Sequence, residues 1–150
     1  DAQNVVDILR YQANIYKLEN RIPIPLKSCA RLASNMFFSQ RYPVPYMIEI
    51  LVGGHDQEGA VVFDIDLFGS LNKERFVSTG SGSPVAYGIL ESEYKEGMTI
   101  DEGTRLGARA IAAAIRRNAG TGDGIDVAVI DKNGYRELPR QEIQSFSLSG

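Results

Sequence analysis

Along this chain the hydrophobic spacing switches from helical to strand period, back to helical, and then to strand period again, and that order restricts the fold to a few architectures. Val5, Ile8, Leu9, Ala13 and Tyr16 recur at helical intervals, which predicts a first helix over about residues 1–19, ended by Asn20, Pro23 and Pro25. A second helix is expected from Pro25, with Cys29, Leu32, Ala33, Met36 and Phe37 on one face and Pro43 and Pro45 as its stop. Tyr46 to Val52 then reads as a strand turned by Gly53-Gly54, with Ala60 to Ile65 as its hairpin partner and a third strand at about 75–79. Helical spacing returns from Pro84 to about Tyr94. It continues in a helix to about Asn118 that opens on the capping box Thr99-Ile100-Asp101-Glu102. Strands at 125–130 and 134–138, joined by Asp131-Lys132-Asn133-Gly134, complete the order, and the tail Gln144 to Gly150 is expected to fray. Helices in pairs followed by strands in pairs suit sheets covered by paired helices, an α+β arrangement, better than a doubly wound parallel sheet.

Composition narrows the function. The chain has 150 residues, 43% hydrophobic and 23% charged, enough for one domain, residues 1–150, with a buried core. A net charge of -3 and no run of Lys or Arg argue against nucleic acid or an anionic membrane as partner. No apolar run approaches the roughly 20 residues of a membrane span, so a cytoplasmic protein is expected. The one cysteine, Cys29, lies among helical core positions, where it reads as a small buried hydrophobe. Asp1 leads almost directly into an amphipathic helix with no initiator Met and no leader pattern, so part of a longer chain is expected.

The densest signature is Gly80-Ser81-Gly82-Ser83-Pro84-Val85-Ala86-Tyr87-Gly88. Ser83 suits an N-cap and Pro84 the first helical position, which predicts a helix mouth whose unpaired N–H groups face the Gly-Ser-Gly turn and can hold an anion or oxyanion. A phosphate-binding loop is disfavoured because no Lys follows the turn.

With Asp1-Ala2-Gln3, Leu32 to Asn35 (LASN), Leu51-Val52-Gly53-Gly54 and Gly122-Asp123-Gly124-Ile125-Asp126 in the same order, this block resembles the β subunits of archaeal-type 20S proteasomes, N-terminal-nucleophile hydrolases, along the whole chain. The resemblance implies a four-layer αββα sandwich, here without its early N-terminal strands and so covering the C-terminal three-quarters of the family domain. It implies heptameric β rings stacked on each other and flanked by α subunits, and threonine-type hydrolysis of unfolded polypeptides inside the chamber, with no cofactor and no metal. The family's nucleophilic threonine, the aspartate after it and its lysine would lie in the stretch this chain lacks. What it keeps is a supporting shell. Ser81 stands where the family serine contacts the threonine's amino group, Asn118 where the family has aspartate in an Arg-Asp-x-x-Ser-Gly pattern, and Thr121 where it has serine. Asn118 retains an acceptor oxygen and loses the charge that favours a nearby ammonium, so a non-catalytic, ring-building β subunit is the alternative. A chain without the early strands is expected to expose strand edges and to aggregate alone.

Other constellations carry less. His55, the only histidine, is expected in a Gly54-His55-Asp56 hairpin loop, a poor base for a triad. Asp64 and Asp66 alternate on a strand as a solvated face, and no His or Cys accompanies them to hold a metal. Asp123 and Asp126 read as turn and strand-start residues. Gly103, Gly107, Ala110 and Ala114 form a small-residue stripe suited to close helix packing, within the subunit or against another.

Overall fold

Two helices open the chain, α1 (Ala2–Asn20) and α2 (Leu26–Ser39), in a computed structural model that describes residues 2–40, 44 and 46–147. Asp1, expected to open the first helix, and Pro43 and Pro45, expected to stop the second, lie outside the described residues. By its contacts the chain divides into two compact units, Asp1–Arg75 and Phe76–Gly150.

In the first unit α2 packs on an antiparallel meander, β1 (Ile50–Asp56), β2 (Gly59–Ile65) and β3 (Leu71–Glu74), and α1 packs on α2. The core gathers Val5 of α1, Ala33 and Phe37 of α2 and Ile65 of β2, with Ile50, Val52 and Leu71 packed against it. Gly53-Gly54 does not turn the chain. Both glycines are paired within β1, Gly53 opposite Val62 and Gly54 opposite Val61, and the reversal falls at Gln57-Glu58. The reason for a glycine at 54 is close approach: a Cβ there would lie 2.6 Å from a methyl of Leu26. Two residues on, Asp56 Oδ2 accepts the Leu26 N–H at 3.0 Å and so caps α2, whose Pro25 offers no side-chain cap. The N–H groups of Glu58 and Leu26 hold the Asp56 carboxyl below its ordinary pKa. His55 is therefore an exposed strand residue opposite Ala60, not a loop residue.

Strand β3 comes earlier than the 75–79 expected. Asp66 lies just past β2, and its Oδ1 accepts the N–H groups of Phe68 and Ser70, both at 2.9 Å. That tight turn sends the chain back at Leu71, and the polar Leu71–Glu74 segment carries little β propensity by which to recognise it. Asp64 remains on the strand, its carboxyl pushed up by burial and by the neighbouring Glu49, Asp66 and Glu74.

The second unit packs α3 (Ser83–Glu93) on α4 (Ile100–Arg117), α4 on α5 (Arg140–Ser147), and pairs β4 (Ala128–Asp131) with β5 (Gly134–Glu137). The first strand of this hairpin starts later than residue 125. Residues 144–147, expected to fray, instead form the second half of α5: Phe146 is buried, as is Ile143 just before them, and the Arg105 guanidinium of α4 lies 4.5 Å from the Phe146 ring centre. The apolar pair at i, i+3 behind Pro139, whose carbonyl accepts from Glu142 and Ile143, was the available signal. Residues 148–150 of that tail lie outside the described residues. Of the small-residue stripe, Ala110 and Ala114 are buried, whereas a Cβ at Gly103 or Gly107 would meet nothing within 4 Å.

The capping box forms as expected. Thr99 Oγ1 accepts the Glu102 N–H at 3.2 Å, and Glu102 accepts the Thr99 N–H at 2.7 Å. Replacing Thr99 with Ala should cost about 1 kcal/mol at neutral pH, measured by urea unfolding of the subunit. Hydrogen bonds from Thr99 hold the Glu102 carboxyl below its ordinary pKa. Its contribution is thus present above the unfolded-state pKa and lost as pH falls through the folded one. The backbone N–H of residue 99, the larger cause, survives in T99A, so on acidification the gap between wild type and T99A should narrow only by the share that the Thr99 hydroxyl's bond to Glu102 carries.

Candidate functional site

The three supporting residues expected at the site, Ser81, Asn118 and Thr121, lie in the second unit, on two turns. The first is Gly80–Gly82. Gly80 takes the left-handed φ of +92°, and its carbonyl accepts the Ser83 N–H at 3.1 Å. Gly82, buried, is the residue before the helix, so Ser83 is its first residue and provides no side-chain cap. The Gly82 carbonyl accepts from Val85 at 3.1 Å and Ala86 at 3.2 Å. Since Pro84 has no N–H, the opening donors of α3 are all occupied, and the anion-holding mouth expected from the sequence is closed by its own turn.

The second turn follows α4. The Asn118 N–H closes the last helical bond to Ala114 at 2.9 Å, and its backbone then becomes extended (φ -129°, ψ 113°). Its side chain holds the turn: Oδ1 accepts the Gly120 N–H at 2.8 Å, while its carbonyl accepts the Thr121 N–H at 3.1 Å. Asn118 is thus a helix C-cap as well as a candidate site residue. Arg116 and Arg117 occupy the helix's last turn, the favourable end for cations.

The two turns meet. A Cβ built on Gly120 would stand 2.9 Å from Ser81 Oγ and 3.3 Å from Asn118 Oδ1, so both oxygens border the same glycine. On the other side, a Cβ on Gly82 would stand 2.5 Å from Thr121 Oγ1 and 3.0 Å from the Ala114 methyl. Ser81 is exposed, and Thr121 Oγ1 is buried without a hydrogen-bond partner. Ser81, Asn118 and Thr121, far apart in sequence, are brought into one neighbourhood lined with neutral hydroxyl and amide groups. Gly82, Gly120 and Ala114 complete it. In the sequence Gly82 reads as a turn residue, Ala114 as part of the small-residue stripe and Gly120 as an unspecified position of the Arg-Asp-x-x-Ser-Gly pattern, because glycine carries no periodicity that tells a bend from a close approach.

The remaining candidates are elsewhere. His55, Asp64 and Asp66 belong to the first unit, and Asp123 and Asp126 are exposed in the segment before β4. Cys29 is half-buried on α2, and burial raises its thiol pKa, which disfavours the nucleophilic thiolate. Among the described residues no three His, Cys, Asp or Glu side chains gather in a way that could hold a metal ion. None of the described helices is long and apolar enough to cross a membrane.

Comparison with known proteins gives a consistent answer. The family model for proteasome subunits matches residues 1–130. The chain is 53% identical to a protein named proteasome subunit beta 2 from Nitrosopumilus maritimus over 142 residues, 95% of this chain and 67% of the relative. It is 46% identical to the proteasome subunit beta of Methanococcus aeolicus over 149 residues, 98% of this chain and 68% of that one. Identity to the proteasome subunit beta of Thermoplasma acidophilum is also 46%, over 146 residues, 97% of this chain and 68% of the relative. The mixture of helices and antiparallel sheets described above is compatible with the α+β sandwich that the resemblance implied. On the family match and these identities, the chain belongs to the proteasome subunit family.

Proposed function

We propose that this chain is the greater part of a proteasome β subunit that acts as a threonine-type endopeptidase within a ring of such subunits. The observation that carries the reading is the convergence of Ser81 and Asn118 on Gly120, with Thr121 packed beside Gly82. In it, the attacking threonine hydroxyl belongs to a segment outside these residues. Ser81, exposed at the tip of its turn, presents a hydroxyl to that threonine's amino group. Asn118 and Thr121 hold the facing turn in register. The partners in this reading are other β subunits in stacked heptameric rings, proteasome α subunits and an unfolded polypeptide, in the cytoplasm. The family match runs across both compact units, which supports reading residues 1–150 as one domain.

A ring-building, non-catalytic subunit is the second reading, and Asn118 favours it. Its neutral side chain is engaged with the Gly120 N–H and supplies no charge to stabilise an ammonium. The test is turnover of a fluorogenic peptide by the full-length, processed subunit assembled with α subunits. Hydrolysis abolished by a threonine-directed covalent inhibitor is the expected result. A correctly assembled particle without such hydrolysis would establish the second reading instead.

A further inference from the structure

We infer that Gly82 and Ala114 are positioning residues of this site, and that Thr121 is what makes any side chain at position 82 inadmissible. The inference rests on the peptidase reading above and names the contact that keeps its two turns in register.

The two glycines that flank Ser81 are glycines for different reasons. Gly80 needs its φ of +92°, while a Cβ there would meet nothing within 4 Å. Gly82, at φ -86° and ψ -2°, has a backbone conformation that any residue adopts. Its requirement is space, because an added Cβ would fall 2.5 Å from Thr121 Oγ1 and 3.0 Å from the Ala114 methyl. Ser81 is thus held between a residue that bends the chain and a residue pressed against the opposite turn. The pressing contact is one of shape. Thr121 Oγ1 is buried there with no hydrogen-bond partner, so no directional bond ties the two turns at this point. Ala114 backs the contact from the last turn of α4, one helical turn before Asn118, whose N–H bonds to the Ala114 carbonyl. Ala114 therefore serves both turns, through its methyl against Gly82 and through its carbonyl to Asn118. A displacement of Gly82 is passed directly to Ser81, and so to its distance from Gly120 and Asn118.

The test is a variant cycle in the assembled particle. Gly82→Ala should lower kcat by about 10- to 100-fold with KM nearly unchanged, as expected when reacting groups are misplaced and not when substrate binding is lost. Adding Thr121→Ser should restore most of that kcat. Serine keeps the hydroxyl, lacks the second γ substituent, and can swing its γ atom out of the collision more freely than the β-branched threonine, whose χ1 is restricted. Wild-type kcat in Gly82→Ala, or a loss that Thr121→Ser does not relieve, would overturn the inference. If Gly82→Ala does not assemble, the double variant decides: assembly with turnover supports the steric pairing, and failure of both refutes it. A wild-type particle without inhibitor-sensitive turnover would instead refute the peptidase reading and, with it, the positioning role.

Discussion

Alanine in place of Gly69 should destabilise the first unit by about 3 kcal/mol or more, because a left-handed backbone and a main-chain collision act together. Gly69 has φ +83°, and a Cβ there would lie 2.5 Å from the Ser34 carbonyl oxygen and 2.9 Å from the Phe38 backbone nitrogen. Both atoms belong to the backbone of α2 and cannot rotate away as a side-chain tip could. The same contact carries a hydrogen bond, from the buried Ser34 hydroxyl to the Gly69 carbonyl, so retreat of the turn would leave a polar group in the core unpaired. Gly59 is the control. Its φ is +102° but its Cβ position is empty, so Gly59→Ala should show the conformational cost alone, about 1–2 kcal/mol. Urea unfolding of the full subunit, followed by circular dichroism, compares the two. Equal losses would mean that the α2 contact yields freely.

That pair shows how much of the structure was legible in the sequence. Where apolar residues recur at a fixed period, the elements came out within a few residues: α1, α2, α4 and the β1–β2 pairing, and α4 began on its capping box. Glycine was the main source of error. Gly53-Gly54 reads locally as a turn, yet it lies in a strand because Leu26 must approach it, a requirement set by a residue far away in the chain. Ser83 reads as a cap, but the Gly82 carbonyl takes the Val85 and Ala86 N–H groups it would have served. The site was legible for a different reason. Ser81, Asn118 and Thr121 stand out by resemblance alone, since no spacing rule connects residue 81 to residue 118. Their convergence on Gly120 and Gly82 depends on α4 returning its C-terminal turn to the start of α3. Ala114 could not have been found this way, because a buried alanine on an alanine-rich helix face has the same pattern whether it packs a core or supports a site.

Phe37→Ala should be the most damaging truncation in the first unit, at about 3–5 kcal/mol, because the cavity it leaves cannot readily close. Phe37 is fully buried, and its ring meets the Tyr46 ring at 5.2 Å between centres with planes 52° apart. Its other core neighbours, Val5, Ala33 and Ile65, come from α1, α2 and β2, so filling the space would require whole elements to shift. Two hydrogen bonds resist that shift: Asp56 holds the start of α2 through Leu26, and Ser34 ties its middle to Gly69. Ala33 is a neighbour already too small to expand into the space. Phe37→Leu, which keeps most of the buried carbon, should cost much less. Chemical unfolding of both variants in the full subunit provides the check. A loss for Phe37→Ala no greater than for Phe37→Leu would show that α1 settles onto β2 despite the ties on α2, and the rigidity assigned to α2 would have to be abandoned.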